Sequence, residues 1–515
     1  MYPGIHARST PEKPAVVMAG SGRVLTYAEL DHDSAKLARV LHDAGLRRGD
    51  VVALLSDNAA ECFEVYWAAM RSGLYITAIN RHLAADEVGY IVNDSGAKAL
   101  VVSAALKEIA EAIVPLTNAA ELKLAFGGEV AGYGDYRNAL ENAGPALGDQ
   151  PRGAEMLYSS GTTGRPKGVR LPLPDRQVDE PGDFLVPLFQ KMYGLGPDDV
   201  YLSPAPIYHT APLRWCGVFH SLGATVVVME KFDPEQALAV IERHGVTATQ
   251  MVPTMFVRML KLPEEIRNRY DIGSLKVAVH AAAPCPVDVK RKMIDWWGPI
   301  IHEYYGSTEG NGITFIDTPQ WLERPGSVGR SALGPVHICD DNDRELPPGK
   351  VGLIYFERDE LPFVYHNDPG KTRAAQHPDH PNWTAIGDVG YVDDDGYVFL
   401  TDRKSFMIIS GGVNIYPQEI EAVLTLHPKV FDVAVIGIPD PEMGEQVKAV
   451  VQPAAGAAAG ADLERELIEY VRARIAHYKA PRSVDFVGQL PRTPTGKLLK
   501  HAIRQPYLNG ASATV

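Results

Sequence analysis

The chain has 515 residues, of which 45% are hydrophobic and 22% are charged, and its formal net charge is −14. This length exceeds what one hydrophobic core supports, so two or more domains are expected. The negative charge argues against a nucleic-acid partner, because binding to a phosphate backbone requires a basic surface.

The cysteines and the apolar segments exclude further classes of protein. The four cysteines are scattered, with no C-x-x-C pair and no metal-ligand spacing, which indicates reduced thiols in a cytoplasmic protein. The first residues contain no basic region followed by an apolar run, so no secretory signal is visible. No stretch approaches the roughly 18 apolar residues that a membrane span requires. A peripheral membrane contact and a homodimer both stay open.

Short apolar strands alternate with helices along the first 300 residues. The predicted strands lie at 51–55, 99–102 and 224–229, and the predicted helices lie at 25–45, 59–72 and 234–244. This alternation is typical of an α/β protein with largely parallel sheets.

The pattern changes after about residue 325. Apolar runs at 390–392 and 397–400 flank the sequence DDDG, whose Asp-Gly ending predicts an antiparallel hairpin. The last segment is predicted to contain helices at 417–426 and 462–475 and strands at 433–437 and 448–451. We therefore predict two domains, 1–402 and 403–515.

Residues 158–168, which read YSSGTTGRPKG, are the most informative stretch of the chain. Glycines let backbone N–H groups approach a ligand closely, hydroxyls add donors, and Lys167 adds a mobile charge suited to phosphate. Such a loop is typical of a polyphosphate site. It is not the Walker loop, which requires a glycine directly before the lysine and Ser or Thr after it. Pro166 and Gly168 stand in those places.

Three further motifs follow this loop. They are YYGSTEG at 304–310, GDVG at 387–390 with TDR at 401–403, and PRTPTGK at 491–497. Together, and in this order, they resemble the motifs of the adenylate-forming enzymes: acyl-CoA synthetases, luciferases and the adenylation domains of peptide synthetases. The resemblance implies a large N-terminal domain of stacked, mostly parallel sheets with helices and a small β-barrel-like part. It also implies a small, mobile α+β lid at the C-terminus.

The resemblance implies a ligase reaction in two steps, with ATP, Mg²⁺, coenzyme A and a small carboxylic acid as ligands. The carboxylate attacks the α-phosphate of ATP to give acyl-AMP and pyrophosphate, and a thiol then displaces AMP. Catalysis of such phosphoryl chemistry is mostly positioning and neutralisation of charge.

The family pattern carries over to named residues around ATP. The implied phosphate contacts are Ser159, Ser160, Gly161, Thr162, Thr163, Gly164 and Lys167, with Thr308 at the α-phosphate. The implied adenine wall is Ala282, Ala283, Pro284, Tyr305 and Gly306, and Ser307 is a further implied ATP or AMP contact. Asp388 is expected at the ribose, where a carboxylate suits a vicinal diol, and Arg403 is expected at the ribose or the phosphate nearby. Glu309 is expected to hold Mg²⁺ together with Thr163.

Lys497 is the main catalytic candidate, because in the family this lysine joins the substrate carboxylate to the α-phosphate when the lid is in its adenylating position. His209 is expected at the junction of the acyl and thiol sites. The competing interpretations are a solvated lysine and a satisfied core histidine.

The remaining expectations concern acid specificity, the thiol and the hinge. The acyl-pocket candidates are His209, Thr210, Ala211, Trp215, Val279, His280 and Ala281. They are largely apolar, with no obvious cation, which favours a fatty, aromatic or terpenoid-like acid, although the larger ones could simply be core. The expected pantetheine tunnel is Ser410, Gly411 and Gly412, and the expected hinge is Asp402, Lys404 and Ser405. The hinge departs from the family, since Ser405 occupies the place where many relatives have an acidic or lysine residue.

Three alternatives to a CoA ligase stay open. The acyl group could pass to a carrier-protein thiol, or the adenylate could enter luciferase-type oxygen chemistry. A non-catalytic nucleotide sensor is the alternative from another class, and retention of Lys497, Glu309 and Asp388 together argues against it.

Overall fold

The computed structural model describes residues 2–159, 166–403, 406–411, 413–492 and 498–508, with the side chain of Arg403 excepted. The expected site residues outside this part of the chain are Ser160, Gly161, Thr162, Thr163, Gly164, Lys404, Ser405, Gly412 and Lys497. Within the described ranges, no helix is long and apolar enough to cross a membrane.

The helices in chain order are α1 Pro3–Ser9, α2 Tyr27–Asp43, α3 Glu61–Met70, α4 Ala85–Asp94, α5 Lys107–Ala112, α6 Tyr136–Glu141, α7 Leu185–Tyr193, α8 Thr210–Leu222, α9 Pro234–His244, α10 Pro253–Leu260, α11 Glu264–Arg267, α12 Val287–Trp297, α13 Thr318–Glu323, α14 Pro369–Ala374, α15 Pro417–Thr425, α16 Ala461–Arg472 and α17 Lys500–Leu508.

The strands in chain order are β1 Pro14–Met18, β2 Val24–Thr26, β3 Val51–Leu55, β4 Tyr75–Ile79, β5 Ala97–Ser103, β6 Leu122–Phe126, β7 Gly134–Asp135, β8 Ala154–Ser159, β9 Lys167–Arg170, β10 Val200–Ser203, β11 Thr225–Val228, β12 Ala248–Met251, β13 Val277–His280, β14 Ile301–Gly306, β15 Ile313–Ile316, β16 Ser327–Ser331, β17 Val336–Cys339, β18 Gly352–Glu357, β19 Val364–Tyr365, β20 Trp383–Thr384, β21 Asp388–Val392, β22 Val398–Arg403, β23 Ile408–Ser410, β24 Val413–Ile415, β25 Val430–Asp440, β26 Gly444–Pro453 and β27 Ser483–Phe486.

The strands form three sheets. The first has eight strands in the order β19-β9-β8-β4-β3-β5-β6-β7 and is parallel from β8 to β7. The second has fourteen strands; its segment β14-β13-β12-β10-β11-β1 is parallel, and its segment from β14 through β22 to β17 is antiparallel. The third is the five-stranded, mostly antiparallel sheet of the C-terminal segment. The predicted fold class is confirmed.

Local sequence signals set the bounds of several elements. Helix α2 begins at Tyr27 because Thr26 accepts from the backbone N–H of Glu29, whose side chain bonds back to Thr26. Strand β3 and helix α9 have the predicted bounds, and α9 is capped by Asp233 and ended by Gly245 in a left-handed conformation. The predicted hairpin at 390–400 is the β21–β22 pair.

The candidate site lies at the carboxyl ends of three strands. Strand β8 ends at Ser159, β13 ends at His280 just before the small-residue segment 282–284, and β14 ends at Gly306. Strands β13 and β14 are parallel neighbours, so their carboxyl ends meet at one edge of the sheet. Ligands of α/β proteins bind at this edge.

One described contact joins the C-terminal sheet to the large parallel sheet's helices. The ammonium of Lys261, after α10, donates to the carbonyls of Val430 at 3.0 Å and Phe431 at 3.1 Å, both at the start of β25. This contact spans the predicted boundary at residue 402, which itself stays a prediction.

Candidate active site

A cavity of about 1870 Å³ lies where the strand ends face the C-terminal sheet. The expected site residues that line it are Ser159, Lys167, His209, Thr210, Ala211, Trp215, Ala282, Ala283, Pro284, Tyr305, Gly306, Ser307, Thr308, Glu309, Asp388 and Asp402. Three of the four motifs, together with the segments 209–215 and 282–284, therefore share one chamber.

The expected adenine wall contains a strained residue. Ala282 has φ 74°, and the only other non-glycine residues with positive φ in the described ranges are Asp343 and Asn367. A left-handed alanine costs roughly 1–2 kcal/mol, and such residues cluster at functional sites. The turn brings the small residues that follow β13 against the cavity.

Asp388 is held at the start of β21 by an aromatic hydroxyl from β14. The hydroxyl of Tyr305 donates to its Oδ2 at 2.7 Å, and Asp388 is buried apart from its face on the cavity. Asp388, expected at the ribose, and Tyr305, expected at the adenine, therefore hold each other in position.

Glu309, the expected metal ligand, is also held by a tyrosine. The hydroxyl of Tyr365 donates to Glu309 Oε1 at 2.9 Å, and both residues are buried at the cavity wall. The ammonium of Lys167 lies 4.8 Å from the centre of the Tyr365 ring, which is a cation–π distance. Tyr365 therefore contacts both the acidic and the basic side of the phosphate site.

These groups fit Mg²⁺, although the described residues contain no cluster of three or more His, Cys, Asp or Glu side chains. Magnesium commonly keeps several waters and binds through one or two carboxylates together with substrate phosphates. Glu309 offers such a carboxylate, with one oxygen hydrogen-bonded and the group open to the cavity.

His209 and Thr210 begin helix α8 beside the motif at 304–310. Thr210 Oγ1 lies 3.0 Å from Thr308 Oγ1, a hydrogen bond that ties the helix to the expected α-phosphate contact. Burial lowers the pKa of His209 to about 3, so its ring is neutral near pH 7. Its Nε2 has no partner among the described residues, and the residue lines the cavity.

A buried ion pair behind the adenine wall was missed by sequence reasoning. The ammonium of Lys290, on α12, lies 2.6 Å from Glu303 Oε2, and Lys290 is completely buried. Burial raises the pKa of Glu303, an effect that the Lys290 charge opposes. Glu303 lines the cavity just before the YYGSTE residues. The only signal was a charged residue inside an apolar strand pattern.

Several expected residues are not brought to the cavity. Val279, His280 and Ala281 are buried in or just after β13, and His280 packs towards Glu303 at 3.4 Å. Ser410 is buried in β23 and Gly411 follows it with φ 59°, and neither lines the cavity in this position of the C-terminal sheet. Residues 279–281 do not line the cavity in this structure, and their place in the acyl pocket stays a prediction.

The residues on either side of the segment 493–497, which contains Lys497, do line the cavity. Arg492 and Leu498 form an isolated antiparallel bridge, and both border the same space as Thr308 and Asp388. Arg492 is held by an ion pair with Asp432 of the C-terminal sheet.

Comparisons with known proteins agree with this geometry. The family model "AMP-binding enzyme" matches residues 5–362, and the model "AMP-binding enzyme C-terminal domain" matches residues 419–497. A feruloyl-CoA synthase from an Amycolatopsis species is 34% identical over 98% of this chain and 98% of its own length.

Two further proteins broaden the comparison. The fatty acid–[acyl-carrier-protein] ligase ScoC of Streptomyces coeruleorubidus is 32% identical over 99% of this chain and 96% of its own length. The crystal structure of ATP-bound MatB from Rhodopseudomonas palustris superposes with a TM-score of 0.82 at 29% identity, covering 99% of this chain and all of that one.

Proposed function

Because the chain belongs to the AMP-binding enzyme family, we propose that it is an ATP-dependent acyl-CoA ligase that first makes acyl-AMP and then a thioester. The observation that carries this proposal is the shared cavity. It is lined by Lys167 of the phosphate motif and by two buried carboxylates, Glu309 expected at the metal and Asp388 expected at the ribose. Arg492 and Leu498, on either side of the segment that contains Lys497, line it as well.

In the first step, the site's task is to hold two anions together. The ATP α-phosphate would lie beside Thr308, whose hydroxyl is oriented by Thr210. Lys167 would neutralise the outer phosphates, and Asp388, positioned by Tyr305, would accept from the ribose hydroxyls. Lys497, whose own position lies outside the described residues, would bridge the acid and the α-phosphate.

Mg²⁺ bound near Glu309 would neutralise charge on the phosphates as pyrophosphate leaves. The protein's own contribution is to orient that carboxylate through the hydrogen bond from Tyr365. This arrangement leaves the second carboxylate oxygen available to the cavity.

In the second step, a thiol enters beside His209. The ring is neutral at physiological pH, since burial lowers its pKa to about 3. It therefore adds no positive charge to hold the leaving AMP. The expected tunnel residues Ser410 and Gly411 would reach the site only after the C-terminal domain 403–515 rotates as a lid.

A second candidate function is transfer to the thiol of a carrier protein. The likeness to ScoC, whose name states that activity, favours testing it. The acid would be hydrophobic in either case. A cytoplasmic location is part of the proposal, since all four cysteines are free thiols.

The test is mass spectrometry of products made from ATP, Mg²⁺ and a panel of carboxylic acids, with and without CoA or a phosphopantetheinylated carrier protein. Acyl-CoA and AMP that appear only with CoA support the ligase. Acyl-AMP that turns over only with the carrier protein supports the second candidate. Failure to release pyrophosphate with any acid would favour the sensor. Size-exclusion chromatography of the same sample tests for a homodimer.

A further inference from the structure

The cavity has an aromatic section along helix α8. The rings of Phe189 and Trp215 lie 4.5 Å apart, and Trp215 stacks on Tyr304 at 6.0 Å with an angle of 22°. Tyr304 in turn lies 6.1 Å from Phe315, and all four residues line the cavity. These walls suit a flat aromatic group, which prefers offset or edge-on ring contacts.

Arg214 brings a charge into this section. It immediately precedes Trp215 and lines the cavity. Its recorded hydrogen bond joins a terminal nitrogen to Glu155 Oε2 at 3.3 Å. A guanidinium has five N–H donors. The Arg214 side chain is 24% exposed and lines the cavity, so donors that Glu155 does not use are accessible from the cavity.

The ion-pair cluster behind Arg214 contains more guanidinium groups than carboxylates. Glu155 also accepts from the hydroxyl of Tyr66 at 3.1 Å. On the far side, Arg152 and Arg176 both pair with Asp183, at 3.4 and 2.8 Å. These three guanidinium groups and two carboxylates together carry one net positive charge.

Helix α8 fixes the separation between this charge and the reaction centre. Thr210 marks the reaction end, because it bonds to Thr308. Arg214 follows four residues later on the same face of the helix, about 6 Å farther along the axis. An acid whose carboxylate lies at Thr308 would place its middle part along the cavity side of these rings and its far end near Arg214.

We propose that the acid is aromatic and carries an oxygen acceptor at the end distal to its carboxylate, and that Arg214 donates to this oxygen. The proposal rests on the proposed function and specifies its substrate class. A phenolic, methoxy or carbonyl oxygen and a second carboxylate share the required chemistry, since each accepts from a guanidinium.

The test compares cinnamic, 4-hydroxycinnamic, 4-carboxycinnamic and octanoic acids by kcat/KM for pyrophosphate release. R214M removes the donors and keeps an extended side chain, but it leaves Glu155 unpaired. The double variant R214M/E155Q removes both charges and keeps an oxygen acceptor for Tyr66. R269M, at an exposed ion pair with Glu235, is the matched control.

The wild-type enzyme is expected to prefer an oxygenated cinnamic acid over cinnamic acid by at least about 10-fold. The double variant is expected to lose about 10- to 100-fold on the oxygenated acid, which corresponds to one hydrogen bond to a charged group. Its activity on cinnamic acid should change less than 3-fold, and R269M should behave as wild type. The preferred oxygenated acid tells a neutral acceptor from a second carboxylate.

Equal losses on all four acids would overturn the role of Arg214, as would a wild-type preference for octanoic acid. In both cases acyl-AMP still forms, so the proposed function stands. No acyl-AMP from any acid would overturn the proposed function and the inference together.

Discussion

Replacing Tyr365 by Phe tests whether the tyrosine positions the Glu309 carboxylate. The substitution removes the hydroxyl that lies 2.9 Å from Glu309 Oε1. It keeps the ring, and with it the 4.8 Å contact of Lys167 and the packing on Phe363 at 5.1 Å. The change therefore removes the hydrogen bond to Glu309 and keeps these two ring contacts.

A hydrogen bond to a charged group contributes about 1.5–3 kcal/mol, and each 1.4 kcal/mol is a factor of ten in affinity. Glu309 faces the cavity, so water can replace the lost donor when no ligand is bound. We therefore expect the lower end of the range. The Mg²⁺ concentration for half-maximal pyrophosphate release should rise about 10-fold, and the midpoint of thermal unfolding should change little.

The assay titrates Mg²⁺ at saturating ATP and acid, and calorimetry measures ATP binding with and without the metal. Tyr355→Phe is the matched control, because its buried hydroxyl points to Asp343 outside the cavity. Only metal-dependent ATP binding should weaken in Tyr365→Phe. An unchanged Mg²⁺ dependence, or equal weakening of ATP binding without metal, would refute the positioning role.

Three other changes probe the lysine loop, the lid and acid stability. Lys497→Ala should slow acyl-AMP formation about 100- to 1000-fold and spare thioester formation from supplied acyl-AMP. Rapid-quench measurement of both half-reactions checks this expectation, and an equal loss in both would contradict it. Lys261→Met removes the two hydrogen bonds to β25. Acyl-AMP formation should therefore slow about 2- to 10-fold, while the second step should not slow. A slower second step would argue that the contact belongs to the other lid position. Burial lowers the pKa of His220 to about 3, so its stabilising effect is complete above pH 6.5 and is lost as pH falls towards 3. In His220→Gln the amide oxygen can still accept from Trp67. Between pH 7 and pH 5, the free energy of unfolding of this variant should fall by about 2 kcal/mol less than that of the wild-type protein. Urea unfolding at both values measures this, and parallel losses in the two proteins would refute it.

The sequence determined the features that depend on local order. Strand β3 and helix α9 were predicted with their observed bounds, because runs of apolar residues and capping residues act within a few positions of each other. The motifs around 158–168, 304–310 and 387–403 predicted a nucleotide site, since residue types at fixed spacing carry that chemistry. The adjacency of these motifs in one cavity agrees with that prediction.

Only the tertiary structure decided which side chains support the site. Tyr365 and Glu309 are 56 residues apart, and Arg214 and Glu155 are 59 apart, so no local pattern could pair them. Strand β13 is buried on both faces, so its composition could not tell which residues face the cavity, and the expected place of His280 in the acyl pocket stays a prediction. Contacts between distant strands and helices depend on register and packing across the whole sheet, which a one-dimensional pattern does not contain.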